Sequence, residues 1–358
     1  MQPLRIALLG CGAGALRHHL PILARMPDAR LAAVAEPDPA RRDAALALAP
    51  GARGYADWRE ALAGSDVEAA IICLPSADHA EAALDALARG RAVYVEKPLA
   101  TTLADADRVA AAWRSSGLVG MTGFNYRFIP LYDAARRAIA KEDLGRLISV
   151  RTTFTLSRSD LPDWKRSRAA GGGALLDLGS HHVDLVFWLF GRRIRTAYAE
   201  IVSRRTEEDT ALVQLALEGG PGIQCLFAFG GADRERFEIE AEKGRMIVDR
   251  SRYQDIFVDP AGPGRAGWRA IGRSAGAVRR IPWIIEKRRA PGRDPSHVEA
   301  LGRFVAAARA GAPCAPDLED GRRSVAVIDA AERSARSGRA EVVLDGSPAG
   351  MGAATRGI

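Results

Sequence analysis

The sequence has few cysteines and no long hydrophobic run. Its four cysteines, among 358 residues, are scattered without a C-x-x-C spacing, which argues against a structural zinc site and a disulfide framework. No apolar run approaches the roughly 18–20 residues that are needed to cross a membrane, so we expect no membrane span. The first residues form a strand pattern and not a basic segment before a long apolar stretch, which predicts no secretory signal and a cytoplasmic protein.

Lysine is also scarce, since only five of the 51 lysines and arginines are lysines, and the formal net charge is +7. The chain has no lysine-rich tract and no interleaved aromatic ladder, so we expect no nucleic-acid partner. The arginine-rich segment 264–293 is interpreted as a solvated loop. A basic surface would also suit an anionic substrate such as a nucleotide sugar.

Short apolar runs alternate with amphipathic stretches over the first third of the chain. The runs are Leu4–Leu9, Leu31–Ala35, Ala69–Leu74 and Ala92–Val95. Buried parallel strands give unbroken apolar runs, and strand–helix alternation indicates a parallel sheet with helices on both faces. We predict an α/β domain over residues 1–122.

The pattern changes to strict alternation after about residue 147. Phe237, Ile239 and Ala241 alternate with glutamates, which is typical of a sheet with one apolar face. A strongly apolar helix at Asp177–Phe190 interrupts the strands, and two helices follow near the end. We predict an α+β domain over residues 123–345 and a disordered tail over 346–358.

Residues 10–15, Gly-Cys-Gly-Ala-Gly-Ala, fit the G-x-G-x-x-A pattern between a strand and a helix. Gly10 permits the tight turn, Gly12 lets the backbone approach a pyrophosphate, and the small Ala15 lets helix and strand pack closely. The helix N-terminus offers N–H groups to the anion. The pattern predicts a Rossmann dinucleotide site formed by Gly10, Gly12, Ala13, Gly14 and Ala15.

Glu36 ends the second apolar run about 20 residues beyond the glycines, where an acid accepts hydrogen bonds from the adenosine ribose. A carboxylate there repels a 2′-phosphate, which favours NAD over NADP. Arg41 and Arg42 follow closely and could soften that preference, so NADP stays possible. The alternative is an ordinary exposed loop acid.

Lys97 follows a buried strand within Glu96-Lys97-Pro98, and ligands bind at the carboxyl ends of strands in such sheets. A lysine beside a coenzyme could orient a substrate hydroxyl or help relay its proton, and the proline bond could be cis. Read in isolation, a surface lysine is the simpler interpretation.

Asp177 and His181 are four residues apart, so on a helix they share one face. The histidine can accept a hydroxyl proton near neutral pH, and the aspartate can orient the imidazole or bind a neighbouring hydroxyl. His182 points elsewhere and is interpreted as structural. One histidine with one or two acids is a sparse ligand set, so we expect no metal.

Together these motifs resemble the Gfo/Idh/MocA family of glucose–fructose oxidoreductase and inositol dehydrogenase relatives. The matching stretches are Ala7–Ala15, Val34–Arg41, Ile71–His79, Ala92–Ala100, Gly123–Pro130, Gly171–Gly191 and Asp317–Gly338. The resemblance implies a Rossmann domain followed by an open-faced, mostly antiparallel sheet that often forms the oligomer interface. We therefore expect a homo-oligomer, a dimer or tetramer, through the C-terminal sheet.

The resemblance also implies roles for particular residues. Lys97, Asp177 and His181 would be the catalytic set. The coenzyme site would include Glu36, Arg41, Leu74, Pro75, His79, Glu96 and Lys97. Asn125 and Arg127, from the Asn-x-Arg-Phe stretch, and Trp164 are the candidate substrate contacts. Ser76, in place of an asparagine, and His182, in place of an apolar residue, depart from the family pattern.

The sequence therefore predicts an oxidoreductase that transfers a hydride between NAD(P) and a secondary alcohol of a sugar, cyclic polyol or nucleotide sugar. In this hypothesis His181 is the general base, Lys97 polarises the oxygen, and Asp177 positions the imidazole or the substrate. Two alternatives stay open: a glycosidase that uses tightly held NAD for transient oxidation and elimination, and a non-enzymatic coenzyme-sensing regulator.

Overall fold

A computed structural model describes residues 2–64, 66–141, 144–157, 161–251, 256–260, 285, 289 and 294–344. The tail 346–358 and, apart from 285 and 289, the segment 264–293 lie outside the described residues, and the predictions made for them stay predictions.

A six-stranded parallel sheet forms from the apolar runs of the first third. Its strands are β1 (Leu4–Leu9), β2 (Ala29–Ala35), β3 (Arg53–Tyr55), β4 (Ala69–Ile72), β5 (Ala92–Val95) and β6 (Gly120–Thr122). The order is β3-β2-β1-β4-β5-β6. The chain leaves β1 in one direction for β2 and later returns on the other side for β4. The crevice at the carboxyl ends of β1 and β4 is the position where open α/β sheets bind ligands.

Helices cover both faces of this sheet. They are α1 (Leu20–Leu23), α2 (Pro39–Leu48), α3 (Trp58–Ala63), α4 (His79–Ala88) and α5 (Leu103–Ser116). α5 begins after Thr102, whose side chain accepts the Asp105 N–H, and ends at Gly117 with φ +67°. These are the side-chain cap and left-handed glycine typical of helix ends.

An eight-stranded sheet forms the second half. Its strands are β7 (Leu147–Leu156), β8 (Ile194–Val202), β9 (Thr210–Leu217), β10 (Gly222–Phe229), β11 (Arg234–Ala241), β12 (Gly244–Asp249), β13 (Phe257–Pro260) and β14 (Glu341–Val342). The order is β13-β12-β11-β7-β10-β9-β8-β14, and the pairs are antiparallel except for β10 with β7. One face packs against helices, and the other carries exposed side chains such as Leu212 and Ile148. The predicted fold class is confirmed.

The remaining helices join the two sheets. They are α6 (Pro130–Ala140), α7 (Ser180–Phe190), α8 (Pro295–Ala310) and α9 (Leu318–Ser337). α8 buries Leu301 and Phe304 in one core with Ile6 and Leu8 of β1, so the first sheet is completed by residues from near the end of the chain. The boundary predicted at 122/123 stays a prediction. No helix within the described ranges is both long and apolar enough to cross a membrane.

Candidate active site

The glycine turn leaves an open cradle beyond β1. Gly10 has φ +88°, and a Cβ there would lie 2.6 Å from the Cys73 carbonyl oxygen, so this position requires glycine. A Cβ on Gly12 or Gly14 would meet no described atom within 4 Å. A π-helical turn, Ala15–His19, follows and leads into α1. The space in front of Gly12 is the space that a pyrophosphate needs.

Glu36 lies at the end of β2, next to the glycine turn, and is 5% exposed. Its Oε2 accepts the Cys11 N–H at 2.8 Å, and its Oε1 accepts the Asp38 N–H at 3.2 Å. Arg41 is exposed, and its Nη1 lies 3.9 Å from Glu36 Oε1. The structure therefore makes Glu36 a buried, oriented carboxylate and not an ordinary exposed loop acid.

A histidine joins the loops after β4 and β5. Nδ1 of the buried His79 lies 2.7 Å from the Pro98 carbonyl oxygen, and its Nε2 lies 2.9 Å from that of Leu74. The Lys97–Pro98 peptide bond is cis, as the sequence suggested. His79 thus clips the Leu74–Pro75 loop to the loop that carries Lys97. The predicted coenzyme contacts of Leu74, Pro75 and His79 stay predictions.

The carboxylate of Asp177 lies between two lysines. Lys97 Nζ donates to Asp177 Oδ1 at 2.7 Å and to the Asp177 carbonyl oxygen at 2.8 Å. Lys165 Nζ donates to Oδ2 at 2.7 Å. Burial alone would raise the pKa of Asp177, but the two ammonium groups hold it well below its usual range. Asp177 is therefore an anion that fixes two lysines.

This geometry bears on the two roles expected for Asp177. Its oxygens accept hydrogen bonds from Lys97 and Lys165, and none to His181 is found among the described residues, so the aspartate does not orient that imidazole. Contact of Asp177 with a substrate hydroxyl stays a prediction. The local backbone differs as well, because residues Leu175–Gly179 form a π-helical turn before α7 begins at Ser180. The simple helical spacing of four did not anticipate that change.

His181 is 8% exposed, and its ring stacks on Tyr126 with centroids 4.0 Å apart. Burial holds the pKa of His181 well below its usual range, and the charge of Lys97 lowers it further. The imidazole is therefore neutral and able to accept a proton. His182 is fully buried, and its Nδ1 pairs with the Thr152 hydroxyl, which fits the structural role expected for it.

The predicted substrate contacts differ in their surroundings. Asn125 is 4% exposed, and its Nδ2 donates to Ser296 Oγ at 2.9 Å. Arg127 Nε donates to Asp184 at 2.9 Å, and its Nη1 donates to Asp320 at 3.1 Å. The Trp164 ring, half-buried, has Lys165 Nζ 5.2 Å from its centroid. Asn125 and Arg127 thus bind other protein groups, whereas Trp164 lies beside the Lys97–Asp177–Lys165 cluster. Their substrate contacts stay predictions.

Glu96 belongs to a buried network, and its Oε2 accepts the Lys97 N–H at 3.2 Å. Its Oε1 lies 2.8 Å from His19 Nε2. Two groups of described side chains bring possible metal ligands within 4.8 Å of one another: His18 with Asp294 and His297, and His19 with Glu96 and His297. Asp177 and His181 belong to neither group. In each group an imidazole already faces a carboxylate at 2.8 or 3.3 Å.

Sequence reasoning missed two residues of this site. Lys165 is one of only five lysines, and the same scarcity that drew attention to Lys97 could have identified it. Tyr126 lies between the predicted residues Asn125 and Arg127, and no sequence signal linked it to His181. The site as a whole places a fixed ammonium group, an anionic carboxylate and a neutral imidazole at the carboxyl end of β5.

Comparison with known families gives two matches along the chain. The GFO/IDH/MocA model, described as an oxidoreductase family with an NAD-binding Rossmann fold, matches residues 4–124. The GFO/IDH/MocA C-terminal domain model matches residues 132–247. The first range spans the six-stranded sheet, and the second spans the eight-stranded sheet from β7 into β12.

Similar individual proteins include sugar and polyol enzymes. A dTDP-3,4-didehydro-2,6-dideoxy-alpha-D-glucose 3-reductase of Streptomyces antibioticus is 30% identical over 250 residues, covering 69% of this chain and 76% of the relative. A myo-inositol 2-dehydrogenase of Thermotoga maritima is 25% identical over 292 residues, covering 79% and 81%. The WlbA dehydrogenase from Bordetella pertussis, solved with NADH and UDP-GlcNAcA, has a similar fold, with a TM-score of 0.79, 24% identity and coverage of 95% and 98%.

Proposed function

The chain belongs to the Gfo/Idh/MocA oxidoreductase family, and from this membership we propose that it is an NAD(P)-dependent dehydrogenase. Its substrate is a secondary alcohol of a sugar, cyclic polyol or nucleotide sugar, or the corresponding ketone in the reverse direction. The observation that carries the proposal is the 2.7 Å contact of Lys97 Nζ with Asp177 beside the neutral His181.

The residues at the glycine turn fit a dinucleotide. The open space at Gly12 would receive the pyrophosphate, and Glu36 would accept hydrogen bonds from the adenosine ribose. The buried carboxylate of Glu36 favours NAD over NADP. When bound, the nicotinamide supplies the ring carbon that accepts or returns a hydride.

The chain's own residues handle the substrate oxygen and its proton. An ammonium group has three donors, and Lys97 uses two on Asp177, so the third is available for the substrate oxygen. His181 removes the hydroxyl proton in oxidation and returns it in reduction. Asp177 holds Lys97 in place, and Lys165 holds the second oxygen of Asp177. Burial around His181 excludes water that would compete for the proton.

The named relatives support this substrate class, because they include a nucleotide-sugar reductase and an inositol dehydrogenase. These relatives are dehydrogenases and reductases, so neither the glycosidase nor the regulator alternative gains support. Within this class, the half-buried Trp164 offers an apolar surface against which a sugar ring could lie.

The proposal is tested by a screen for NADH or NADPH formation and thermal shift over inositols, aldoses, sugar acids and nucleotide sugars. We expect turnover with at least one compound, and we expect Lys97→Ala to reduce it about 10²- to 10⁴-fold. Release of free sugar without net NADH formation would instead favour the glycosidase. The absence of both turnover and thermal shift across the whole panel would contradict the proposal that the protein is a dehydrogenase.

We further propose that the open face of the eight-stranded sheet joins copies of this chain. That face carries exposed apolar side chains such as Leu212, which is 49% exposed, next to a groove lined by Gln214, Gln224 and Arg151. Apolar side chains exposed together on one face of a sheet are typical of a protein interface. Light scattering is expected to give a dimer or tetramer, and Leu212→Asp is expected to shift it toward the monomer.

A further inference from the structure

The imidazole of His181 rests on an aromatic ring. The planes of His181 and Tyr126 differ by only 11°, and their centroids lie 4.0 Å apart. Phe124 approaches His181 edge-on at 6.5 Å. Among the described residues, Nδ1 of His181 has no hydrogen-bond partner. The plane of the ring is therefore fixed by stacking and not by a hydrogen bond at Nδ1.

Tyr126 is itself held by a buried ion pair. Its hydroxyl donates to Glu235 Oε2 at 3.3 Å and accepts from Arg250 Nη1 at 2.8 Å. Arg250 Nη1 also donates to Glu235 Oε2 at 2.6 Å, and the hydroxyl of Tyr132 donates to the other oxygen of Glu235. Glu235 is 5% exposed. The tyrosine is thus anchored to β11 and to the end of β12, in the second sheet.

Arg250 also contacts the ring of Tyr126 directly. Its guanidinium carbon lies 4.6 Å from the centroid of that ring, within the range of a cation–π interaction. The ring therefore touches the guanidinium and the imidazole at once. A positive charge on Arg250 disfavours a second positive charge on His181.

Several other groups act on His181 as well. The titratable groups that face it are Lys97, Asp177, His182, Tyr126 and Arg250, with Glu235 behind Tyr126. Lys97 and Arg250 disfavour an imidazolium ion. Asp177 favours it, but that carboxylate already bonds two lysines.

We propose that Tyr126, anchored by Arg250 and Glu235, is a positioning residue that fixes the plane of the His181 imidazole and keeps it in the neutral, proton-accepting form. The inference rests on the proposed function, in which His181 removes the hydroxyl proton. It adds a link between the base and the second sheet.

The ionisation part is tested by nuclear magnetic resonance, independently of turnover. Histidine labelled with ¹³C at Cε1 is titrated in the wild type, Arg250→Met and Arg250→Lys, with His181→Asn to assign the signal among six histidines. Removing the charge is expected to move the His181 midpoint to higher pH, or to bring it into the pH range of the folded protein for the first time. Arg250→Lys keeps the charge and should stay near the wild type.

The matched control is Arg245→Met, because Arg245 lies on β12, the strand that Arg250 directly follows, with a side chain 42% exposed. It is expected to leave the His181 titration unchanged. An unchanged titration in Arg250→Met, or an equal shift in Arg245→Met, overturns the inference. Failure of the proposed function looks different, since the wild type would then show no turnover while the titrations could still be compared.

The positioning part is tested by kinetics. Tyr126→Leu removes the stacked ring and is expected to lower kcat about 10- to 100-fold with little change in KM. Tyr126→Phe keeps the ring but loses the hydroxyl bonds to Glu235 and Arg250, so its kcat should lie between those of Tyr126→Leu and the wild type. Equal kcat values in Tyr126→Leu and the wild type, or an equal loss in both variants, contradict the role of stacking.

Discussion

Lys97 bonds Asp177 twice, through the carboxylate at 2.7 Å and through the backbone carbonyl at 2.8 Å. The second bond connects the lysine to the backbone just before α7, which carries His181. The ammonium group and the imidazole are therefore held by the same short piece of chain. This arrangement makes the geometry of the site depend on Asp177 more than on either of the other two residues.

Replacement of Lys97 is expected to reduce catalysis without removing coenzyme binding. Lys97→Met lacks the ammonium group that would bind the substrate oxygen, so kcat should fall about 10²- to 10⁴-fold. Steady-state kinetics and NADH fluorescence titration measure the two effects separately. Lys243→Met, at an exposed turn, is the control. Near-normal kcat in Lys97→Met would remove the lysine from the mechanism.

Lys165 is expected to matter through Asp177. Lys165→Met frees one carboxylate oxygen, so Asp177 and the attached Lys97 gain rotational freedom, and kcat should fall about 10- to 100-fold. Lys165→Arg retains a donor to Oδ2 and should recover part of the loss. Arg166→Met, next along the chain and exposed, provides the comparison. A Lys165→Met enzyme no slower than Arg166→Met would show that Lys97 alone fixes the carboxylate.

Alanine substitutions at two glycines of one turn are expected to impair different properties, namely coenzyme binding and stability. Gly12→Ala adds a methyl group where the structure has open space, so stability should hold while the Kd for NAD rises at least about tenfold. Gly10→Ala forces a side chain to φ +88° and against the Cys73 carbonyl oxygen, which should lower the free energy of unfolding by about 1–3 kcal/mol or more. Urea unfolding and coenzyme titration distinguish the two. Tight NAD binding in Gly12→Ala would place the pyrophosphate elsewhere.

Glu36 is expected to set the coenzyme preference. Glu36→Gln removes the negative charge that repels a 2′-phosphate while keeping an oxygen for the Cys11 N–H. The ratio of Kd for NADP to Kd for NAD should therefore fall, by about tenfold or more. Asp43→Asn, exposed on α2, removes the same charge at a distance. Tighter binding of NADP than of NAD by the wild type would reverse the assignment.

The His19–Glu96 pair is expected to give a pH-dependent stability. Burial would raise the pKa of Glu96, but the hydrogen bond from His19 lowers it from 4.5 to about 2. Burial would lower the pKa of His19, but Cys73 and Glu96 raise it well above 6.5. The stabilisation from Glu96 is present above pH 4.5 and is lost as the pH falls toward 2. The stabilisation from His19 is complete below pH 6.5 and is lost as the pH rises through its folded pKa.

The difference in unfolding free energy between the wild type and His19→Gln should therefore be largest between pH 4.5 and 6.5, about 1–3 kcal/mol. Urea titrations at several pH values measure it. Arg17→Gln, an exposed cation on the same turn, should show no such maximum. A difference that decreases neither below pH 4.5 nor as the pH rises above 6.5 would mean that the pair is not ionised.

The fold could be predicted largely from the sequence where burial determines residue choice. β1 and β5 have the predicted bounds, because unbroken apolar runs mark both ends. β3 was missed because Arg53–Tyr55 is a short, largely exposed edge strand with no apolar run. Its position is set by pairing with β2, which is tertiary information.

The sequence predicted those residues of the candidate site that lie within a single recognisable motif. Lys97, Asp177 and His181 lie in recognisable stretches, whereas the partners that fix them come from distant parts of the chain. Glu235, for example, is 109 residues along the chain from Tyr126, whose hydroxyl donates a hydrogen bond to it. Competition between hydrogen-bond donors is the other reason. The sequence spacing predicted that Asp177 pairs with His181, but in the folded chain the ammonium groups of two lysines, which are stronger donors, bind the Asp177 carboxylate.

The packing of α8 against β1 limits how this protein can be divided. Leu301 and Phe304 complete the apolar core on one face of the first sheet, although they follow α7 by more than a hundred positions. A fragment that ends at residue 122 would lack α8 and would therefore expose the apolar side chains that pack against this helix. Chimeras that exchange coenzyme halves between relatives therefore need to carry this late helix along with the first six strands.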